Sequence, residues 1–543
     1  MKKNDLFEVT IEDMSRDGEG IGHVDGLTVF VKDTAPGDRI RARLTKEKKK
    51  LAYGRLEEVL EASPCRMEPV CGKARSCGGC TMQHISYEKQ LELKSAYVEN
   101  CLRRIGGIEN AKALMEPILG MEYPYAFRNK MQFPVGTDRE GTPQLGFYAG
   151  RTHALIPLTG CPVGHPVNQV ILQAVKEYIR EASVPVYDEE KHGGLLRHVL
   201  TRVGFGTGQV MVCLVVNGES LPKEDILVER LRTAVDGWYE TSIDERKRSR
   251  IDGSKDSKSD GRLTNECDDR RGSKSDDRQN KYADDRQRTP IDSLWDKPLR
   301  LVSVCVNINT EKTNRILGFR SRVISGASVI EDTIGDIRFE IAPESFFQVN
   351  PVQTEKLYGK ALEYAGLTGE ETVWDMYCGI GTISLFLARR AKKVYGVEIV
   401  PQAIENARRN AELNAFTNAE FFVGKAEEIV PKLYAEDPEK YRADVVVVDP
   451  PRKGCDRALL DTLISMAPLR IVYVSCDPAT LARDVAILRE GGYQPQRVTP
   501  TDMFPHSSHV ECIVLLQLSN RKPDAKIRID INLEDYYRIK DSK

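Results

Sequence analysis

Val373-Trp374-Asp375-Met376-Tyr377-Cys378-Gly379-Ile380-Gly381-Thr382 decides how the rest of the chain is read. A β-branched and aromatic run ends in an acid, a glycine turn follows, and Ile383 to Ala388 then has the pattern of an apolar helix. The two glycines let the backbone pass close to a ligand with no Cβ in the way. Further on, Val394-Tyr395-Gly396-Val397-Glu398 reads as a second strand closing on a carboxylate, placed to accept hydrogen bonds from a ribose diol. A strand, glycine turn and helix with a distal acid also suits dinucleotide enzymes. Asp449-Pro450-Pro451-Arg452, directly after the strand Val445 to Val448, narrows the choice.

Around this stretch the chain alternates. Phe346-Phe347-Gln348-Val349-Asn350-Pro351 opens the unit and a helix is expected from Val352 to Ala365. Strands are expected at 394–397, 420–423, 445–448, 471–474 and 512–518, with helices at 402–413, 459–466 and 479–489. That is a doubly wound sheet with its sites at the carboxyl ends of the strands. The three sites together resemble the Rossmann-like class of S-adenosylmethionine (SAM) methyltransferases.

The 543 residues are too many for one core, so several domains are expected. We expect units at 1–62, 63–345 and 346–520, with a polar tail at 521–543. The net charge is −2, from 79 basic and 81 acidic residues, which speaks against a wholly basic nucleic-acid binder but permits basic patches. With no long apolar run and no apolar stretch after Met1-Lys2-Lys3, neither a membrane span nor a secretory signal is expected. The expected compartment is the cytoplasm, where the 13 cysteines serve as thiols, metal ligands or catalysts.

At the N-terminus, apolar residues alternate through 7–11, 27–31 and 40–44 between glycine turns, the pattern of a small closed barrel. Arg39, Arg41, Arg43, Lys46, Lys48, Lys49, Lys50 and Arg55 outnumber Glu47, which suggests a phosphate-contacting strand and loop. The pattern SxDGEGIG…VFVxxxxPGD resembles the TRAM module, an OB-like barrel on RNA-modifying enzymes.

Cys71 and Cys77-Gly78-Gly79-Cys80 put three thiols on one glycine-bearing loop. Cys161, in Thr159-Gly160-Cys161-Pro162, is the candidate fourth ligand, and either an iron–sulfur cluster or a four-thiolate zinc fits such a set. The segment from Cys71 to His84 resembles the iron–sulfur loop of the bacterial RNA uridine C5-methyltransferases. That resemblance implies a [4Fe-4S] cluster on Cys71, Cys77, Cys80 and Cys161, with Cys65 a bystander. His84 is expected to be a structural hydrogen-bonder and Cys101 a core residue of a helix from Tyr87 to Ile105.

From about 120 to 240 and from 298 to 345 strands dominate, with helices at 166–181 and 222–235, an α+β sheet domain. Arg128 and Lys130 share one face of a strand, either toward RNA, as the resemblance implies, or toward solvent. Residues 243–293 are almost without apolar side chains and are expected to be a disordered surface insertion, with Cys267 a free thiol.

The chemistry rests on two further stretches. Val474-Ser475-Cys476-Asp477-Pro478 puts a cysteine at a strand tip before a helix N-terminus, where the dipole lowers a thiol pKa. Phe504-Pro505-His506-Ser507-Ser508-His509-Val510-Glu511 puts an acid before the final strand. Uracil C5 is too weak a nucleophile to take a methyl group unaided. A thiolate adding to C6 delivers charge to C5, and a base must then remove the C5 proton. In the family that the chain resembles, the SCxPxTxxRD cysteine is the nucleophile and the FPHxxHxE glutamate the proton acceptor, which implies Cys476 and Glu511. The SAM residues implied are Gln348, Tyr377, Glu398 and Asp449. Asn418 or the turn 424–427 is a further candidate for adenine, against a loop hydrogen bond for Asn418. Cys378, Cys455 and Cys512 are read as structural.

The reading is a cytoplasmic, monomeric 23S rRNA uridine C5-methyltransferase with RNA as partner and neither DNA nor membrane. Its rivals are the same chemistry on tRNA and a non-catalytic RNA-binding or iron–sulfur sensing protein.

Overall fold

The computed structural model describes residues 2–150, 152, 154–252 and 297–519. Its first unit is a six-stranded barrel, in the order Leu6–Thr10, Arg39–Glu47, Leu51–Glu61, Leu27–Val31, Gly20–Val24, Asp13–Met14. Alternate residues Phe7, Val9, Val29, Val31, Ile40, Ala42 and Leu44 fill its interior. Just beyond the strand Leu6–Thr10, the Glu12 N–H donates to Ile21 O in Gly20–Val24 (2.8 Å), bringing the two ends of the sheet together.

The second unit is a seven-stranded sheet, ordered Arg320–Gly326, Arg300–Ile308, Gln209–Val216, Leu196–Val203, Lys130–Thr137, Pro143–Tyr148, Leu155–Pro157. The helices Asn168–Glu181 and Glu224–Asp252 cover one face, sharing a core with Phe133, Val199, Val212 and Leu214. The opposite face carries Leu200, Met211, Cys213 and Cys305, which pack into the core of the C-terminal unit. The helix continues to Asp252, so the stretch expected to be disordered from 243 begins as helix. The rest of the insertion, with Cys267, lies outside the described residues, as does the polar tail.

The third unit is another seven-stranded sheet: Ala419–Val423, Lys393–Glu398, Thr372–Met376, Val445–Val448, Arg470–Ser475, Glu511–Leu518, Tyr493–Thr501. The first five strands are parallel, and Glu511–Leu518 is antiparallel to both its neighbours. Val445–Val448 is buried throughout, as a strand covered on both faces must be. The entry helix Pro351–Ala365 starts where Asn350 accepts from Gln353 N and ends on Gly366 in the left-handed region.

One element crosses the expected domain boundaries. The helix Tyr87–Arg104 lies against the C-terminal sheet, and its Val98, Cys101 and Leu102 share a core with Leu481, Val485 and Val498. Its buried Lys94 ion-pairs with the fully buried Asp502, and the Tyr87 hydroxyl donates to the same carboxylate (2.8 Å). Among the described residues no helix is long and apolar enough to cross a membrane.

Candidate active site

The glycine turn forms as its composition requires. Gly379 and Gly381 adopt φ of 55° and 83°, and a Cβ on Gly381 would press on Ala407 and the Phe421 ring at 3.3 Å. Tyr377, at the strand tip, also takes a positive φ, 72°. The Glu398 carboxylate closes the turn: it accepts from Gly379 N (3.3 Å) and Val400 N (3.0 Å) and stays part-exposed. Gln348 is buried, its carbonyl receiving the Asn129 side-chain amide (3.0 Å). Asn418 has a structural task instead: its amide donates to the carbonyls of Ala388 (2.8 Å) and Ala391 (2.9 Å).

Asp449 stands one residue beyond Val448, which pairs with Met376 on one side and Tyr473 on the other. It therefore lies between the tips that carry Tyr377 and Cys476. Ser475 pairs with Cys512, so one step further along the same antiparallel register Cys476 faces Glu511. The nucleophile candidate and the base candidate thus come from adjacent strands of one ladder.

The electrostatics of this corner are unusual. Burial pushes the Glu511 carboxyl up to about 8, with Asp449 adding to the effect, and pushes Asp449 itself up to about 7. Burial also carries Asp375 up to about 7, helped by Asp449 and Glu398. Asp375 accepts from the Ser384 hydroxyl, while its other oxygen is buried without a partner among the described residues. Cys476, expected to have a lowered pKa at a helix N-terminus, is instead pushed up to about 11. Burial contributes most, then Glu511 and Asp449, against which Arg452 pulls only weakly.

Sequence reasoning missed several supports. Tyr358 is buried beside Asp449, Glu511 and Asp375, and its hydroxyl meets that of Thr382 (3.0 Å). Its only signal in the sequence is a helical position seven residues after Pro351. Asp484 ties the Asp449-Pro450-Pro451-Arg452 loop to the Cys476 strand by accepting from Cys455 N (2.8 Å) and the Tyr473 hydroxyl (2.6 Å). Asp477 caps the helix Pro478–Glu490 by accepting from Ala479 N (3.0 Å) and Thr480 N (3.2 Å).

Cys476 opens into a cleft of about 230 Å³ lined by residues of all three units, among them Arg16, Thr81, Tyr97, Arg452 and His509. Of the two histidines near Glu511, His509 lines this cleft. His506 is turned inward, donates its backbone N–H to Gln90 Oε1 (3.0 Å) and stacks on Tyr125 at 4.4 Å.

The cysteine loop lies behind the same cleft. Cys161, Cys77 and Cys71 all lie close to Cys80; burial and these three thiols carry Cys80 up to about 12. Arg128 is half-buried beside Cys80 and Cys161. Gly78 abuts Gly150, where a Cβ would come within 3.1 Å of the Gly150 Cα. Among the described residues no three His, Cys, Asp or Glu side chains converge as a single metal ion requires. Cys65 stands apart, against Pro36 O (3.5 Å), and His84 meets Thr34 O (3.0 Å), a structural contact. Arg128 and Lys130 do not form a solvent face: Lys130 pairs with Arg202 across the sheet and is half-buried. Burial, Arg202 and Arg128 push its amine down to about 7.

The four arginines of the basic surface expected on the barrel are ion-paired. Arg39 pairs with Glu8 and Glu61, Arg41 with Glu8 and Glu58, and Arg43 and Arg55 with Glu57. Counting charges along 39–55 misses these acids, because the sheet brings them in from neighbouring strands.

Comparison with known proteins agrees with this geometry. The family described as tRNA (Uracil-5-)-methyltransferase matches residues 281–519, and the TRAM domain matches residues 2–56. An uncharacterized RNA methyltransferase of Halalkalibacterium halodurans is 44% identical over 520 residues, covering 96% of this chain and 98% of its own length. One from Clostridium acetobutylicum is 43% identical over 517 residues, covering 95% and 98%. Among solved structures, the Pyrococcus abyssi tRNA (uracil-54, C5)-methyltransferase in complex with S-adenosyl-L-homocysteine superposes with a TM-score of 0.66 at 27% identity, covering 94% of this chain and all of that one. A TRAM barrel, a SAM-type sheet and near-full-length relatives converge on one conclusion: the chain belongs to the (uracil-5-)-methyltransferase family of SAM-dependent RNA methyltransferases.

Proposed function

We propose that this protein methylates C5 of a uridine in 23S rRNA, in the cytoplasm, with Cys476 as nucleophile and Glu511 as base. The observation that carries this reading is the ladder register that sets Cys476 opposite Glu511, with Asp449 beside both. The Cys476 sulfur bonds to uracil C6, and the ring becomes an enolate with charge at C5. SAM supplies an electrophilic methyl group, which C5 takes. Glu511 then accepts the C5 proton, and the C6–S bond breaks to restore the aromatic ring and the thiolate. Burial pushes the thiol up to about 11, so its proton leaves as sulfur bonds to C6 and passes to the neighbouring Asp449 carboxylate, which keeps Glu511 ionised for the C5 proton.

Gln348, Tyr377, Glu398 and Asp449 are the residues assigned to SAM. The fit is supported by the Glu398 carboxylate at the glycine turn and by the buried acids Asp375 and Asp449, whose charge a sulfonium would stabilise. Cys71, Cys77, Cys80 and Cys161 are assigned to a [4Fe-4S] cluster, which would tie the two cysteine-bearing segments together behind the cleft. The nearness of Cys161, Cys77 and Cys71 to Cys80 supports this assignment, since a cluster of this kind takes four thiolates.

The second reading, a tRNA uridine, is favoured by the stated substrate of the Pyrococcus abyssi enzyme. Mapping 5-methyluridine in 23S rRNA and tRNA from cells with and without the protein separates the two. Loss of the modification from tRNA alone would overturn the rRNA assignment.

A further inference from the structure

We infer that Arg16, on a turn of the N-terminal barrel, is a positioning residue for methyl transfer that holds the Cys476 loop in place through Asp477. The inference rests on Cys476 as the nucleophile and deepens that reading: it makes the barrel part of the catalytic apparatus as well as an RNA-binding appendage.

The turn Ser15 to Glu19 is wedged into the cleft mouth. The Arg16 guanidinium ion-pairs with the Asp477 carboxylate; the arginine is 59% exposed and the aspartate 5%. Asp477 is the residue next to the nucleophile, and its other oxygen caps the following helix through Ala479 N and Thr480 N. Its backbone N–H donates to the Ser475 hydroxyl oxygen (3.1 Å) on the other side of Cys476. The turn that carries Cys476 is thus held by the Ser475 hydroxyl, by the helix cap and by a charged anchor from the barrel.

A second contact reaches the base. Gly18 has φ of +75° and lies so close to Thr81 that a Cβ there would sit 2.8 Å from the Thr81 hydroxyl oxygen. That hydroxyl accepts from Ser508 N (3.2 Å), and Met82 N donates to His506 O (2.9 Å), in the loop that leads into Glu511. The same barrel turn therefore braces both loops that deliver the reacting groups. An exposed ion pair adds little to global stability, so such a pair at a reacting turn acts on geometry, where small displacements have large effects on rate.

The test uses the full-length protein and 5-fluorouridine-substituted transcripts of 23S rRNA and tRNA, reading the rate of covalent Cys476–RNA complex at saturating RNA and SAM. Arg16→Ala is expected to slow complex formation by about tenfold or more. The KM for RNA should change by less than about twofold and the melting temperature should barely move. Arg16→Lys, which keeps the charge, restores most of the rate. Asp477→Asn, which keeps the cap but not the charge, slows the reaction, and Arg16→Ala added to it has no further effect, as expected if one residue acts through the other. The inference is overturned if Arg16→Ala leaves the saturated rate unchanged, or raises only KM while flattening the salt dependence, since the arginine would then be a phosphate contact. It is equally overturned if the two substitutions add in full. Failure of the unsubstituted protein to form any covalent complex would sink the Cys476 assignment along with the inference, whereas normal trapping with an indifferent Arg16→Ala sinks the inference alone.

Discussion

The protein holds two sulfur sites, and they differ in what surrounds them. Both are buried enough to disfavour a thiolate: Cys476 is pushed up to about 11 and Cys80 to about 12. Around Cys476 the neighbours are carboxyls, Glu511 and Asp449, which can exchange protons with it. Around Cys80 the neighbours are other thiols, Cys161, Cys77 and Cys71, with Arg128 at the rim. On the proposed reading, carboxyl neighbours suit a sulfur that gains and loses a bond in each turnover. On the same reading, thiol neighbours suit a set that becomes anionic together when a cationic centre binds it.

The strongest way to break the comparison is Cys476→Ala. We expect methyl transfer to fall by at least about 10⁴-fold, with SAM binding unchanged by calorimetry. Glu511→Gln is next, with turnover down by about 10²- to 10⁴-fold. In that variant a covalent protein–RNA complex should accumulate on ordinary uridine RNA, visible on a denaturing gel, because C6–S cleavage waits for loss of the C5 proton.

The pH profile sharpens the contrast. A base with its pKa at about 8 must be ionised to act, so kcat/KM should rise about tenfold per pH unit below 8 and flatten above it. Stability should run the other way. Glu511, Asp375 and Asp449 have folded pKa values above their ordinary ones, so their contribution is fully present below about pH 4 and is lost as pH rises through 7 to 8. Denaturant midpoints measured from pH 4 to 9 check the sign, and bound SAM should reduce the loss.

The smallest catalytic effect is expected at the other sulfur site. Cys80→Ser or Cys161→Ser should abolish iron and sulfide content and lower the melting temperature by about 5 °C. Methyl transfer by the folded fraction should stay within about threefold. A complete loss of catalysis with folding intact would erase the distinction between the two sites.

Much of the C-terminal unit was legible in the sequence, because buried parallel strands such as Val445–Val448 read as unbroken apolar runs. Two of its elements were not. The strand Tyr493–Thr501 contains Pro495 and Pro500, and the helix Ala426–Glu436 contains Pro431, residues that argue against regular structure when read locally. Cys476 and Glu511 could be picked out as motifs, but not the antiparallel register that makes them neighbours, since register depends on the partner strand. The same limit hid the arginine–glutamate ladders of the barrel and turned a count of basic residues into an overestimate of free charge. The upward push on the Cys476 thiol was invisible for a related reason: a helix N-terminus shows in the sequence, whereas burial and two carboxyl groups arriving from other strands do not.

The helix Tyr87–Arg104 has a practical meaning for anyone who wishes to dissect the molecule. A fragment starting at residue 346 would retain the glycine turn, Cys476 and Glu511, yet it would lose the apolar cover of Val98 and Leu102. It would also strip Asp502 of the Lys94 ammonium and the Tyr87 hydroxyl that pair with it. Shortened versions of this enzyme must therefore be cut in space and not along the gene, carrying the early helix with the late sheet.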